Sequence, residues 1–261
     1  MSARARKLWL LALVALAALP LAAPALMRSR ADNPVWRGMR LAQRNGCFAC
    51  HSAPHNLEVS NPDSPFETIP SFAGGNLMMY VDAPGEVKQW IRDGYTAKRK
   101  ADPEAWAKYQ AQLIQMPAFG GRLAEREIES LAAYVLAADS YNTPPDEVAQ
   151  RGEEIARSHC LGCHNVGGAG GMRNPGSPFG YIPAWWGADF RDLVKDDAEL
   201  REWITTGSSH RVAGLPLAAW FWRRQQIRMP AYDHLPAADV DALAAYIAWL
   251  GRTEGGTRPA S

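Results

Sequence analysis

The chain has 261 residues, of which 47% are hydrophobic and 21% charged, so it is long enough for two domains of roughly 100 residues with a core each. Its formal net charge is +1, but residues 31–261 hold 23 basic against 27 acidic side chains, a formal charge of −4. This balance excludes nucleic acid as an expected partner, because binding to phosphates requires a basic surface.

The N-terminus has the pattern of an export signal. Three basic residues precede an uncharged apolar run over residues 8–27. Basic residues before such a run stay in the cytoplasm, so residues 31–261 are expected on the far side of the membrane, in the periplasm. Residues 23–25 resemble a cleavage site, but the apolar run is also long enough to span a bilayer. Residues 1–30 are therefore predicted to be either a cleaved signal peptide or a transmembrane helix that anchors the protein to the inner membrane.

Helical patterns follow along the chain, and no stretch has the alternating apolar pattern of a strand. Asp102 is predicted to cap one helix, with Pro103 at its first position. The second half repeats the scheme of the first, so an all-α fold is expected. The predicted helices cover about residues 35–45, 84–93, 103–115 and 124–138 in the first half, and the last one covers residues 236–251.

All four cysteines lie in two similar stretches, "GCFACHSAP" at residues 46–54 and "HCLGCHNVG" at residues 159–167. A thioredoxin-like redox pair expects a βαβ context, which is not predicted here. A structural zinc site would tie the two stretches together, and a disulfide leaves the adjacent histidines unexplained. In Cys-x-x-Cys-His, by contrast, two thiolates add to the vinyl groups of a haem and the histidine becomes the proximal iron ligand. Two covalently bound c-type haems are therefore predicted, one held by Cys47, Cys50 and His51, the other by Cys160, Cys163 and His164.

The two halves align at an offset of 113 residues. Residues 64–119 match residues 177–232 without a gap, and 18 of these 56 positions are identical, which predicts two copies of one domain. We expect domain 1 to cover residues 35–140 and domain 2 to cover residues 148–251. The segment at residues 140–147 contains two consecutive prolines and is predicted to be a short, stiff linker.

One methionine in each half is a candidate for the second axial ligand. Met116 and Met229 correspond at the same offset, and each lies 65 residues after its histidine in "MPAF" or "MPAY". Proline ends the preceding helix and leaves a loop that can reach across the haem, although a core methionine at a helix end is the alternative. The predicted iron ligands are thus His51 and Met116 in one domain, and His164 and Met229 in the other. Ordinary roles are expected for the remaining histidines, His55, His159, His210 and His234.

Each proximal histidine needs a partner for its other ring nitrogen, usually a backbone carbonyl. The prolines that follow each motif are expected to shape a turn that supplies this carbonyl. The candidates are Pro65 and Pro70 in the first half, and Pro178 and Pro183 in the second.

With "CFACH", "CLGCH", "MPAF" and "MPAY" in this order, each followed by a helix such as "EIESLAAYVLA" or "DVDALAAYIAW", the chain resembles dihaem c-type cytochromes built from two class I cytochrome c domains. The resemblance covers roughly residues 35–250. It implies that helices surround each haem and that the first and last helices of each domain cross. The interval from histidine to methionine is longer than in compact members, so residues 96–114 and 208–226 are expected to cover part of each haem.

Two functions are compatible with these features. The first is an electron carrier, or an electron-transfer subunit of a respiratory complex, because two His/Met irons leave no open position and no catalytic residue is expected. Its partners are then redox proteins, among them a membrane complex. The alternative is a dihaem enzyme such as a peroxidase, in which one haem loses its distal ligand. A thiosulfate-oxidising enzyme that uses cysteine as distal ligand is excluded, because it needs a fifth cysteine.

Overall fold

The computed structural model describes residues 33–51, 59–72 and 75–257, and the part from Pro34 onward forms one compact unit. The predicted signal or anchor at residues 1–30 and the histidine at position 55 lie outside the described residues. None of the helices in the described part of the chain is long and apolar enough to cross a membrane.

Helices dominate both halves, in agreement with the expected all-α class. The first half contains α1 (Pro34–Arg44), α2 (Pro84–Asp93), α3 (Ala97–Ala101), α4 (Pro103–Ala111) and α5 (Glu125–Asp139). The second contains α6 (Glu147–His159), α7 (Leu161–His164), α8 (Ala188–Leu193), α9 (Asp197–Thr206), α10 (His210–Ala213), α11 (Pro216–Arg224) and α12 (Ala237–Thr253). Short 3-10 helices cover Cys47–Ala49, Leu77–Met79 and Val166–Gly168.

Helix α4 begins as predicted and ends early. The Asp102 side chain accepts hydrogen bonds from the first turn, and Pro103 occupies its start. The predicted end near residue 115 is wrong, because α4 ends at Ala111. From there the chain is bound elsewhere, since the Leu113 N–H donates to the Pro62 carbonyl at 3.2 Å.

Two short strands, which the sequence pattern does not predict, lie between the first cysteine motif and α2. Strands β1 (Val59–Ser60) and β2 (Thr68–Ile69) pair antiparallel. The second half has a single antiparallel bridge between Arg173 and Tyr181 in the corresponding region. Pairings this short produce no alternation of apolar residues, so the expectation that no strand would form was wrong for a physical reason.

The first and last helices of each half cross in close contact. A Cβ atom on Gly38 of α1 would lie 1.9 Å from the Ser130 carbonyl oxygen of α5, and one on Gly152 of α6 would lie 2.0 Å from the Ala242 carbonyl oxygen of α12. Both crossings therefore require glycine. This is the arrangement that the resemblance implies, and each crossing lies at the centre of its own hydrophobic cluster.

The segment between the halves is fixed in place. Pro144 is fully buried, and the Asn142 side chain donates a 2.6 Å hydrogen bond to the Gly256 carbonyl. Arg157 of α6 donates to the Ser140 hydroxyl at 2.9 Å. Trp186 packs against the hydrophobic clusters of both halves. These contacts hold the two halves together around the predicted linker.

Candidate functional site

The four predicted site residues of the first half, Cys47, Cys50, His51 and Met116, line one cavity. Its volume is about 1320 Å³, including the part open to solvent, compared with roughly 300–1,000 Å³ for ordinary small-molecule pockets. The other walls are mainly aliphatic and aromatic, and they include Phe72, Tyr80, Trp90, Ile91, Tyr109, Leu131 and Val135. We call this space the first cavity.

The four predicted residues of the second half line a second cavity in the same way. Cys160, Cys163, His164 and Met229 meet around a space of about 1290 Å³. The walls again carry large apolar side chains, among them Trp185, Phe190, Trp203, Trp222, Leu243 and Ile247. This second cavity shares no lining residue with the first, so the chain has two separate sites.

His51 is held as a neutral imidazole. Its Nδ1 lies 2.8 Å from the Pro70 carbonyl oxygen, and its ring stacks on Phe72 with 4.6 Å between centroids. A carbonyl only accepts, so the ring proton sits on Nδ1 and Nε2 keeps its lone pair. Burial lowers the pKa of His51, and the Pro70 carbonyl raises it by a smaller amount. Pro70, one of the two predicted candidates, thus supplies the carbonyl.

His164 occupies the matching position with a weaker fixing contact. Its ring lies 4.8 Å from that of Trp185, the counterpart of Phe72. Burial lowers the pKa of His164 to about 4, while the Pro183 carbonyl acts in the opposite direction. Nevertheless Nδ1 of His164 is buried without a hydrogen-bond partner, so the influence of that carbonyl is electrostatic. The ring is neutral, as an iron ligand must be.

A glycine at the end of one helix in each half sets the approach of the methionine loop. Gly94, which follows α2, and Gly207, which follows α9, have φ angles of 81° and 74°. A Cβ atom at these positions would lie 2.3 Å from the Met116 carbonyl oxygen and 2.4 Å from that of Met229. Only glycine fits here, since both the backbone angle and the close contact exclude a side chain.

An asparagine in each half holds the same loop from the other side. The Asn61 amide donates to the Ile114 carbonyl at 3.0 Å and accepts from the Ile114 N–H at 2.8 Å. Asn174 makes the equivalent pair with Ile227, at 2.8 and 2.9 Å. Both asparagines are 4% exposed and line their cavities. We call these contacts the asparagine clamps, and each holds the chain two residues before the methionine.

The sequence analysis missed both clamps, although a signal was present. Asn61 and Asn174 are separated by the same 113 residues that relate the two motifs. The aligned segment used to establish the repeat begins three positions later. Extending that alignment towards the N-terminus finds an identical polar residue in both copies, which a purely structural loop does not require.

The cysteines do not form the alternative sites that their spacing allows. All four are free thiols, and the two pairs line different cavities. Within the described ranges, no group of three or more His, Cys, Asp or Glu side chains is arranged to hold a metal ion. Burial raises the pKa of Cys47, and it raises the pKa of Cys160 to about 11. These observations argue against a zinc site shared between the motifs.

The longer interval between histidine and methionine does contribute to the walls, as expected. Tyr109 and Gln112 line the first cavity, and Trp222 and Gln225 line the second. The Tyr109 hydroxyl also donates a 2.6 Å hydrogen bond to the Gly94 carbonyl, which braces the methionine loop.

Two of the other histidines are described, and their surroundings differ. His210 is exposed and pairs with Glu202 on the surface. His159 is also exposed, but it lies at the edge of the second cavity, where its carbonyl accepts a hydrogen bond from the Tyr232 hydroxyl. Neither observation makes these residues axial ligands.

The residues of both cavities fit a covalently attached haem. Each cavity offers two thiols for attachment, a neutral buried imidazole and a thioether, inside walls that are almost wholly apolar. This donor set is typical of His/Met c-type haem sites.

A comparison with protein families agrees with this fit in the second half. Residues 147–247 match the family described as cytochrome c oxidase, cbb3-type, subunit III. The match includes Cys160, Cys163, His164 and Met229. Among curated proteins, none matches the chain. The second half therefore contains a c-type cytochrome domain, a module of haem-based electron transfer.

Proposed function

We propose that the chain is an electron-transfer protein with two covalently bound c-type haems, one in a domain at residues 35–140 and one in a domain at residues 148–251. The observation that carries the proposal is the repetition of one arrangement in both halves. Each half places a Cys-x-x-Cys-His motif and a methionine around its own cavity. In each half an asparagine clamp and a glycine hold the methionine loop.

The side chains have separate tasks in this proposal. Each cysteine thiol adds across a vinyl double bond, so that sulfur binds one vinyl carbon and the proton goes to the other, with no change in electron count. The histidine Nε2 and the methionine Sδ bind the iron from opposite sides. When bound, the haem supplies a one-electron couple whose potential methionine ligation raises. The apolar walls exclude water and thereby help to set that potential.

A carrier is favoured over an enzyme because both sites provide both axial ligands. A dihaem peroxidase needs one iron whose distal position opens. Here the Met116 loop is held by Asn61 and by close contact with Gly94, and the Met229 loop has the same two restraints. Neither loop is arranged as the one that releases its ligand, so the enzyme remains the second candidate.

We further propose that the protein acts in the periplasm, where the export pattern of residues 1–30 delivers it. It is either soluble after cleavage or anchored to the inner membrane by residues 8–27. The name of the family matched by the second half points to a membrane respiratory complex of the cbb3-type oxidase class as its electron partner. Mass spectrometry of the mature N-terminus and pull-down from solubilised membranes test these two points.

The haem content tests the central proposal. The full chain, produced with the c-type haem maturation system, is expected to carry two haems by mass and by haem assay. A Cys160→Ala/Cys163→Ala variant should retain one. Reduced and oxidised spectra should show two low-spin haems, with the weak far-red methionine-to-iron band in the oxidised protein. A single haem per chain would contradict the dihaem proposal, and rapid binding of carbon monoxide to a reduced haem would favour the enzyme.

A further inference from the structure

The two cavities differ in one buried acidic side chain. Asp139, the last residue of α5, is 2% exposed and lines the first cavity. Its Oδ1 accepts a 3.2 Å hydrogen bond from the Leu77 N–H, whereas its Oδ2 is buried without a partner. At the corresponding place in α12 stands Gly251, which is exposed. A buried polar atom without a partner is rare in native proteins and requires an explanation.

The surroundings of Asp139 favour its protonated form. Burial raises the pKa of Asp139 to about 6, and the backbone N–H groups of residues 75–77 and Arg157 oppose this effect. The carboxyl also lies at the C-terminal end of a helix, where the helix dipole disfavours negative charge. No basic residue occupies the last turn of α5 to offset it.

Asp139 is the one carboxyl among the described residues that line the first cavity. A protonated carboxyl there has a hydrogen to donate from Oδ2, and the apolar walls next to it offer no acceptor of their own. A haem carries two propionate carboxylates, which in their ionised form only accept hydrogen bonds. The carboxyl and the propionate are therefore complementary when they share one proton, as paired carboxylates do in other buried sites.

Resting on the proposed function, we propose that Asp139 is a redox-linked proton site of the first cavity, which shares its proton with a haem propionate and takes up a proton from water when that cavity receives an electron. The electron comes from the redox partner and adds one negative charge, and the proton neutralises it. No bond other than that to the proton forms or breaks. The second cavity, with Gly251 in place of the acid, lacks this coupling.

The other charged and titratable groups near Asp139 are few. On α6, Arg157 faces it and is paired with Glu153 at 2.8 Å. The loop at residues 75–77 presents backbone N–H groups. In the cavity itself the remaining titratable residues are Cys47, Cys50, His51, Tyr80 and Tyr109. The cysteines and His51 are committed to the haem, and burial raises the pKa of Tyr109, so Asp139 is the group available near neutral pH.

The test is a redox titration of the holoprotein between pH 5 and 8, followed by its visible spectra. One of the two midpoint potentials should fall as pH rises, with the equilibrium constant for reduction approaching a tenfold change per pH unit, or about 59 mV for a one-electron couple. The other should change little. Asp139→Asn should abolish the slope. Glu129→Gln, which removes a negative charge from the exposed face of the same helix, should retain it.

Proton uptake on reduction, measured with a pH indicator in weakly buffered solution, should occur in the wild-type protein and be lost in Asp139→Asn. Two flat potentials in the wild-type protein, or a slope that survives in Asp139→Asn, would overturn the inference. If that variant does not bind haem, redox-difference infrared spectra of the wild-type protein decide. A protonated-carboxyl band that changes on reduction and shifts on aspartate-specific ¹³C labelling supports Asp139, and its absence refutes it. Fewer than two haems per chain would instead refute the proposed function.

Discussion

The asparagine clamp of the first half makes a quantitative prediction about the methionine loop. Asn61→Ala removes both hydrogen bonds to Ile114, of 3.0 and 2.8 Å, and leaves one backbone N–H and one carbonyl without partners. Ile114 is half-buried, so water reaches these groups only in part. Met116 lies two residues further along, and its carbonyl already contacts Gly94. We expect the loop to lose its fixed position while the remainder of the first half stays folded.

The magnitude follows from the cost of unpaired groups. A buried backbone group without a partner costs about 1–3 kcal/mol, and partial hydration at Ile114 places the two groups together near 2–3 kcal/mol. A difference of 1.4 kcal/mol is a factor of ten, so the population of the displaced loop should rise roughly 30- to 140-fold. Asn174→Ala removes the matching pair of bonds in the second half and should have a similar effect on Met229.

The assay combines unfolding in urea with the far-red methionine-to-iron band and the rate of carbon monoxide binding to the reduced protein. Asn61→Ala should weaken the band by the contribution of one haem and accelerate carbon monoxide binding. Gln115→Ala is the matched control, because it removes a single exposed hydrogen bond from the same segment. If Asn61→Ala changes stability by less than about 0.5 kcal/mol and leaves both spectroscopic readouts unchanged, the clamp does not hold the ligand loop.

Three further predictions concern individual residues. Met116→Ala and Met229→Ala should each convert one haem to the high-spin state and lower its potential, and unchanged spectra in both would show that the distal ligands were wrongly assigned. Gly152→Ala places a Cβ 2.0 Å from a carbonyl oxygen and should destabilise the protein by about 1–3 kcal/mol in urea unfolding, whereas Gly251→Ala, with open space around it, should stabilise it by about 0.5–1 kcal/mol. Because the folded pKa of Asp139 is raised to about 6, stability is lost as pH rises through that value, so Asp139→Asn should gain up to about 3 kcal/mol over wild type between pH 4 and 7; a difference independent of pH would contradict this.

Much of the fold was predictable because its signals are local. Helix α2 begins at a proline and ends before a glycine with positive φ, and both are visible in the sequence. The cysteine motifs, the two methionines and the crossing helices follow in the same way from short patterns repeated at one offset. The two cavities themselves are consequences of that repetition.

The parts that escaped prediction depend on contacts between distant residues. Asn61 binds Ile114 across 53 positions, and Asp139 binds Leu77 across 62. No periodicity records such a contact. The asparagines were nevertheless detectable, because they recur in both halves, whereas Asp139 has no counterpart. An acid at the end of a helix is usually solvated, so nothing in the sequence distinguishes this one.

The differences between the halves lie in the walls of the cavities, while the frame that holds the ligands is shared. His51 donates a hydrogen bond to Pro70, which makes it a more basic ligand, and His164 has no such partner. Asp139, when ionised, adds negative charge to the first cavity alone. Both effects stabilise oxidised iron, so the first haem is expected to have the lower potential. Electrons then pass downhill from the first half to the second, which is the half that matches the oxidase family.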